Sequence, residues 1–131
     1  MKPVIRKVDC LRLYVPDLEQ GLSFYHDHLG HELIWRSATA AGLRMPDTDA
    51  ELVIQTEEER HEIDLLVDSA DDAAEFIEHA GGKVIVPPFD IQIGRCAVVE
   101  DPWGNPLVLL DISKGLLATD AKGNVIGNVE P

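Results

Sequence analysis

The stretch CLRLYVPDLEQGLSFYHDHLG, residues 10–30, decides the fold. Within it Leu11, Leu13 and Val15 alternate with Cys10, Arg12 and Tyr14, the period-two pattern of a strand with one face buried and one face open. Pro16 cannot donate to a ladder and ends that strand. Asp17 then stands where a helix N-cap is wanted, with Gln20 three residues on as in a capping box and Glu19 complementing the positive end of the dipole. Leu18, Leu22, Tyr25 and Leu29 recur at helical spacing and predict one apolar stripe, after which Gly30 supplies a left-handed stop.

Working outward, residues 32–36 (ELIWR), 42–45 (GLRM) and 51–56 (ELVIQT) predict three strands, with the turn chemistry PDTD at 46–49 between the last two. The charged run EEERH at 57–61 predicts a solvated loop linking two halves. Residues 62–67 (EIDLLV) then restart the pattern, with Ile63, Leu65 and Val67 on one face and Glu62, Asp64 and Leu66 on the other. Ser69 with Asp72 makes a second capping box, and Ala73, Phe76, Ile77 and Ala80 a second stripe, stopped by Gly81-Gly82. A strand at 83–86 is predicted to break at Pro87-Pro88, and strands at 94–99 (GRCAVV) and 107–112 (LVLLDI) follow, joined through DPWGNP at 101–106.

Val15 and Val67, Phe24 and Phe76, and Gly30 and Gly82 are each 52 residues apart. Matches in register, with strand, cap, stripe and stop in the same order, argue for an α+β chain of two βαβββ modules, 8–57 and 62–112, within a single domain spanning 1–131. The extension 113–131 lies outside the repeat. Its segments 116–119 and 124–127 flank turn residues 120–123, which fits a terminal hairpin, a frayed tail or an arm over a partner subunit.

Composition narrows the function class. A formal charge of −13 repels phosphate backbones and anionic membranes, so neither nucleic acid nor a membrane surface is an expected partner, and solubility is the plainest account of the excess. Neither a membrane-length apolar run nor the apolar core of a signal peptide is present, which points to the cytoplasm. Cys10 and Cys96 are far apart and lack CxxC spacing, which argues against a disulfide framework or a cysteine-built zinc site.

Val15-Pro16-Asp17-Leu18 leading to Phe24-Tyr25 and Leu29-Gly30, together with Val99-Glu100-Asp101-Pro102-Trp103-Gly104-Asn105-Pro106, resembles the vicinal-oxygen-chelate superfamily of glyoxalase I, bleomycin- and fosfomycin-resistance proteins, extradiol dioxygenases and methylmalonyl-CoA epimerase. The resemblance spans about 8–111. It implies a curved mixed sheet whose concave cleft binds small molecules, and it implies a homodimer. Metal-binding members use a histidine on the first strand, a glutamate on the fourth, a histidine or glutamine on the fifth and a glutamate on the eighth. Those positions fall here on Cys10, Glu51, Glu62 and Val108. Both imidazoles and the last carboxylate are missing, so a cofactor-free site is the expectation, and any divalent metal is left with Cys10, Glu51 and Glu62 alone.

Strand alternation puts Cys10, Arg12 and Tyr14 on one side together with Glu62, Asp64, Glu51, Val53 and Gln55. Arg12 offers a fork for a ligand carboxylate or phosphate, unless Glu62 or Asp64 neutralises it. Glu62 and Asp64 are the candidate acid–base pair, with salt bridging the commoner role for such carboxylates. The candidate ligand-binding set is therefore Cys10, Arg12, Tyr14, Glu51, Gln55 and Val108, and Trp35, Trp103, Phe89 and Tyr14 are candidate apolar walls. His26, His28 and His31 read as favourable charge at a helix C-terminus rather than as a metal pair. Two function classes follow. One is a metal-independent binding protein for a small molecule; the other is a divergent metal-dependent lyase, isomerase or dioxygenase using Glu51 and Glu62.

Overall fold

The structure, a computed structural model, describes residues 2–129. The chain divides into two compact units. The first comprises Asp9–Glu62 and Leu117–Gly127, the second Ile63–Leu116 with the residues up to Val8 and from Asn128. Each carries one four-strand set and one helix, so the class is α+β with mixed sheet.

In the first unit β1 (Ile5–Tyr14, from Asp9 on), β2 (Leu33–Arg36), β3 (Ala40–Arg44) and β4 (Glu51–Gln55) lie in the order β2-β3-β4-β1. The β1/β4 pair is parallel and the other two pairs are antiparallel. Alternation sends Leu11, Leu13, Val15, Ala41, Leu43, Leu52 and Ile54 to one side, where they close a core with Leu18 and Leu22 of α1 (Leu18–Leu22). A buried leucine stabilises by roughly 1.5–3 kcal/mol, which is why this face sets the register. The Asp17 carboxylate accepts the Gln20 N–H at 2.9 Å, as an N-cap should.

The predicted single stripe needs correcting. After α1 the chain continues as a π-helical segment, Ser23–His28, with Leu29 N–H donating to the Phe24 carbonyl. The wider turn absorbs one extra residue, so Tyr25 still packs on the core while Leu29 turns out to solvent. The repeat records the insertion. The caps Asp17 and Ser69 are 52 residues apart, but the two stops at positive φ, Gly30 at 83° and Gly81 at 110°, are 51 apart. Gly82 is demanded instead by packing, because a Cβ there would meet Ile77 Cγ2 at 2.5 Å and the Glu100 carbonyl at 2.6 Å.

The second unit orders β5 (Glu62–Val67), β8 (Pro106–Leu110), β7 (Gly94–Glu100) and β6 (Lys83–Ile91) as β5-β8-β7-β6, again with one parallel pair, β5/β8. Val67, Ala97, Val99 and Leu109 form its core with Ala70, Ala73 and Ala74 of α2 (Ala70–His79). Ser69 caps α2 through the Asp72 N–H, and of the predicted stripe Ala73 and Ile77 pack on the core, whereas Phe76 and Ala80 are exposed. Strand β6 does not break at Pro87-Pro88. It runs through them as an edge strand, where a missing N–H is tolerated, and its register against β7 shifts on either side of Val86. Asp111 ties this unit together: its carboxylate accepts N–H bonds from Ala70, Arg95 and Ser113 and the Ser113 hydroxyl.

Of the alternatives for the C-terminus, the structure has the hairpin, β9 (Leu117–Thr119) with β10 (Val125–Asn128). Asp120 accepts from the N–H groups of Lys122 and Asn124, the same Asp-x-x-Gly-Asn turn that Asp101 makes with Trp103 and Asn105. Arg36 N–H donates to the Gly123 carbonyl at 2.7 Å, which extends the β2 edge of the first unit. Among the described residues no helix is long and apolar enough to cross a membrane.

Candidate functional site

Because register partners in a sheet point to the same side, the pairings Cys10↔Glu51, Arg12↔Val53 and Tyr14↔Gln55 bring six of the singled-out side chains to one face of the first unit, away from α1. Gly42, opposite Val53, and Ala40, opposite Gln55, extend that face across β3. Trp35 joins it through a bulge. The register slips between Leu33 and Trp35, so Leu33 packs in the core while Trp35 points to the opposite side.

Trp35 lies over Gly42, where an added Cβ would stand 2.6 Å from Cδ1 and closer still to Nε1 and Cε2. Its indole packs on Cys10, Ala40 and Val53, and its Nε1–H donates to Glu51 Oε1 at 2.6 Å. Burial pushes the Glu51 carboxyl up, and Asp9 adds to the push; the Trp35 hydrogen bond and Arg44 oppose it without reversing it. Sequence pattern pointed to Trp35 only as a wall. The glycine inside strand β3 was the available signal for a closely approaching ring.

Arg12 is held between carboxylates, Glu57 at 3.1 Å and Glu62 at 3.6 Å, and is only 22% exposed. Glu62 is also 3.7 Å from Arg60, and Glu57 accepts from the Thr39 hydroxyl at 3.0 Å. Glu62 thus lies between two guanidinium groups as a salt-bridge partner, the commoner role for such a carboxylate. Gln55 is 1% exposed, and its amide accepts from Glu57 N–H and Glu58 N–H while donating to the Glu58 carbonyl, so it staples the 57–58 loop. Tyr14 is half-buried beside it.

Asp64 and Val108 belong to the second unit, where they are register partners. The same face carries Leu66 and Leu110 across β5/β8 and Val98 and Cys96 across β7, so it is an apolar surface with one buried carboxylic side chain. Phe89 is 40% exposed opposite Cys96, and Trp103 is 84% exposed at its turn. The histidines of the π-helical end donate Nδ1–H to backbone carbonyls: His26 to His31, His28 to Ser23 and His31 to Arg44.

The residues do not fit a divalent metal. Cys10 is buried under the indole, Glu51 is engaged by Trp35, Glu62 is engaged by two arginines, and Val108 has no donor atom. Among the described residues no group of three or more His, Cys, Asp or Glu side chains is placed to hold one.

Comparison with known proteins agrees with this architecture. Methylmalonyl-CoA epimerase from Mycobacterium tuberculosis superposes with a TM-score of 0.72 at 16% identity, covering 86% of this chain and 92% of that one. The Mn(II)-bound glyoxalase from Novosphingobium aromaticivorans gives 0.59 at 20%, covering 97% of this chain and 42% of that one. A Pseudomonas 2,3-dioxygenase gives 0.56 at 18%, covering 79% and 41%. At these identities the likeness establishes the fold. No curated protein matches the chain. The family model described as Glyoxalase/Bleomycin resistance protein/Dioxygenase superfamily matches residues 7–109, and the chain belongs to that superfamily.

Proposed function

We propose that this protein binds a small organic molecule on an open sheet face without the divalent metal that serves other members of its superfamily. One observation carries the reading: the glutamate at the fourth-strand ligand position, Glu51, is already hydrogen-bonded to an indole that covers its neighbour Cys10. A ligand site with mostly apolar lining and a few fixed polar groups is the general form of small-molecule recognition. We extend the proposal to a homodimer, on the family resemblance, and to a cytoplasmic location, on the sequence's lack of a membrane-length apolar run. Elemental analysis of purified protein, with a thermal-shift screen run with and without EDTA, tests the reading. The expected result is less than a tenth of an equivalent of metal and identical Tm values. A stoichiometric ion, or a ligand response that collapses on chelation, overturns it.

A second reading has its own support in the raised pKa of Glu51, which keeps a titratable carboxyl on this face. On that reading the chain is a lyase, isomerase or dioxygenase in which Glu51 works with Glu62. Turnover of thiohemiacetals or catechols that is lost in Glu51→Gln and Glu62→Gln favours it. No turnover with either substrate class counts against it.

A further inference from the structure

Trp35 does not merely border the open face of the first unit. Its ring rests on the bare backbone of Gly42, its apolar edge packs on Cys10, Ala40 and Val53, and its Nε1–H donates to Glu51 Oε1 with nitrogen and oxygen 2.6 Å apart. A flat apolar seat with one carboxylate acceptor at its edge is what a protein presents to a planar aromatic ligand that carries an N–H. Here the chain supplies that ligand itself. It does so from the short edge strand β2, through a bulge that re-aims the side chain, and the ring is half-buried rather than sealed.

We propose that Trp35 is a resident occupant of a recognition site formed by Gly42, Cys10, Ala40, Val53 and Glu51, and that the external ligand is a planar aromatic with an N–H donor which binds by exchange with the indole. The inference rests on the metal-free reading above and names the ligand class for it. Two consequences follow from the geometry. Exchange weakens the apparent affinity by the fraction of molecules in which Trp35 has left, so removing the indole tightens binding. Losing the N–H weakens binding, because the Glu51 carboxylate then sits beside the ligand with its acceptor unmatched.

The test uses the full chain with Trp103→Phe, a change at an exposed position that leaves Trp35 as the single tryptophan. Labelling with 5-fluorotryptophan then gives one fluorine resonance. Titration with indole is expected to move that resonance with saturation, and 1-benzofuran, which has the same shape without the N–H, is expected to bind at least tenfold more weakly. In Trp35→Ala, indole is expected to raise Tm and to bind at least tenfold tighter than in the single-tryptophan protein. Where Trp35→Ala fails to fold, the fluorine titration decides alone. A resonance unmoved up to the solubility limit of indole, or equal binding of indole and benzofuran, overturns the proposal. Elemental analysis separates the two failures, since a metal-free protein indifferent to indole loses only this inference, whereas a stoichiometric metal removes the reading beneath it.

Discussion

The open faces of the two units were built on the same strand plan and have opposite chemistry. In the first, Cys10, Arg12, Glu51 and Trp35 give a face of charge and aromatic surface whose polar atoms are engaged within the unit. In the second, Cys96, Val98, Val108 and Leu110 give an aliphatic face with Asp64 at its β5 side. The helix sides of both units are apolar throughout, although the core is leucine-rich in one and alanine-rich in the other. A repeated backbone therefore constrains the side that buries a helix, where register and volume are fixed, and leaves the other side free to diverge.

The largest expected effect breaks the second unit. Asp111 is 4% exposed and joins the start of α2 to β7 and to Ser113, so Asp111→Ala strands the Ala70 and Arg95 N–H groups. A loss of about 3 kcal/mol is expected from buried donors left unmatched, read by urea unfolding. Next comes Gly42→Ala in the first unit, where the new methyl occupies the indole's place. Ejecting a packed ring and its hydrogen bond is expected to cost about 2 kcal/mol, with a shift of Trp35 fluorescence to longer wavelength in a Trp103→Phe background. An unchanged spectrum would mean that Trp35 is not seated on Gly42.

Acid sharpens the contrast between the units. Burial pushes the Asp111 carboxyl up, but the hydrogen bonds from Ala70, Ser113 and Arg95 outweigh it and its pKa is lowered, while that of Glu51 is raised. Asp111 therefore contributes stability that is present above the ordinary carboxylate value of about 4 and is lost as pH falls through its lower folded value. Glu51 does the reverse: its contribution is complete below its unfolded value and is lost as pH rises through its higher folded one. Glu51→Gln should accordingly be relatively more stabilising at neutral pH than at pH 4, and Asp111→Asn relatively more harmful at neutral pH than at pH 3, both measured as unfolding free energy against pH. Parallel curves for the two variants would show that the carboxylates share one environment.

What could be read from the chain was local. Asp17 and Ser69 announced their caps, residues 62–67 matched β5 at both ends, and the turn residues 120–123 left the hairpin as one of three outcomes. What could not be read depends on contacts distant in sequence. Nothing between Ser23 and His28 marks a π-turn, because the extra residue is tolerated by packing and not called for by propensity. Pro87-Pro88 stay in a strand because β6 is the last strand of the sheet order among the described residues, a fact of topology. Alternation did place Cys10, Arg12 and Glu51 on one face. The seating of Trp35 there needs a bulge in β2 and a glycine in β3 together, and Asp111 reaches a helix start 41 residues away.

The smallest effect concerns what Arg12 is for. Two unit charges 3.6 Å apart interact by about 4–5 kcal/mol at an effective dielectric of 20, but desolvation and side-chain ordering cancel most of that, leaving about 1 kcal/mol for a half-buried pair. Arg12→Met keeps the apolar stem and removes the charge, which leaves Glu62, 17% exposed, with Arg60 at 3.7 Å. A loss near 1 kcal/mol is therefore expected, shrinking in 1 M NaCl because the Debye length falls to about 3 Å. Glu62→Gln should cost less, and the double variant should recover part of the sum, since it removes both members of the Arg12–Glu62 pair together. If Arg12 serves a ligand anion instead, Arg12→Met leaves Tm unchanged and abolishes ligand response, and the double-mutant coupling vanishes. The two outcomes separate a charge that organises the face from one that recognises what binds to it.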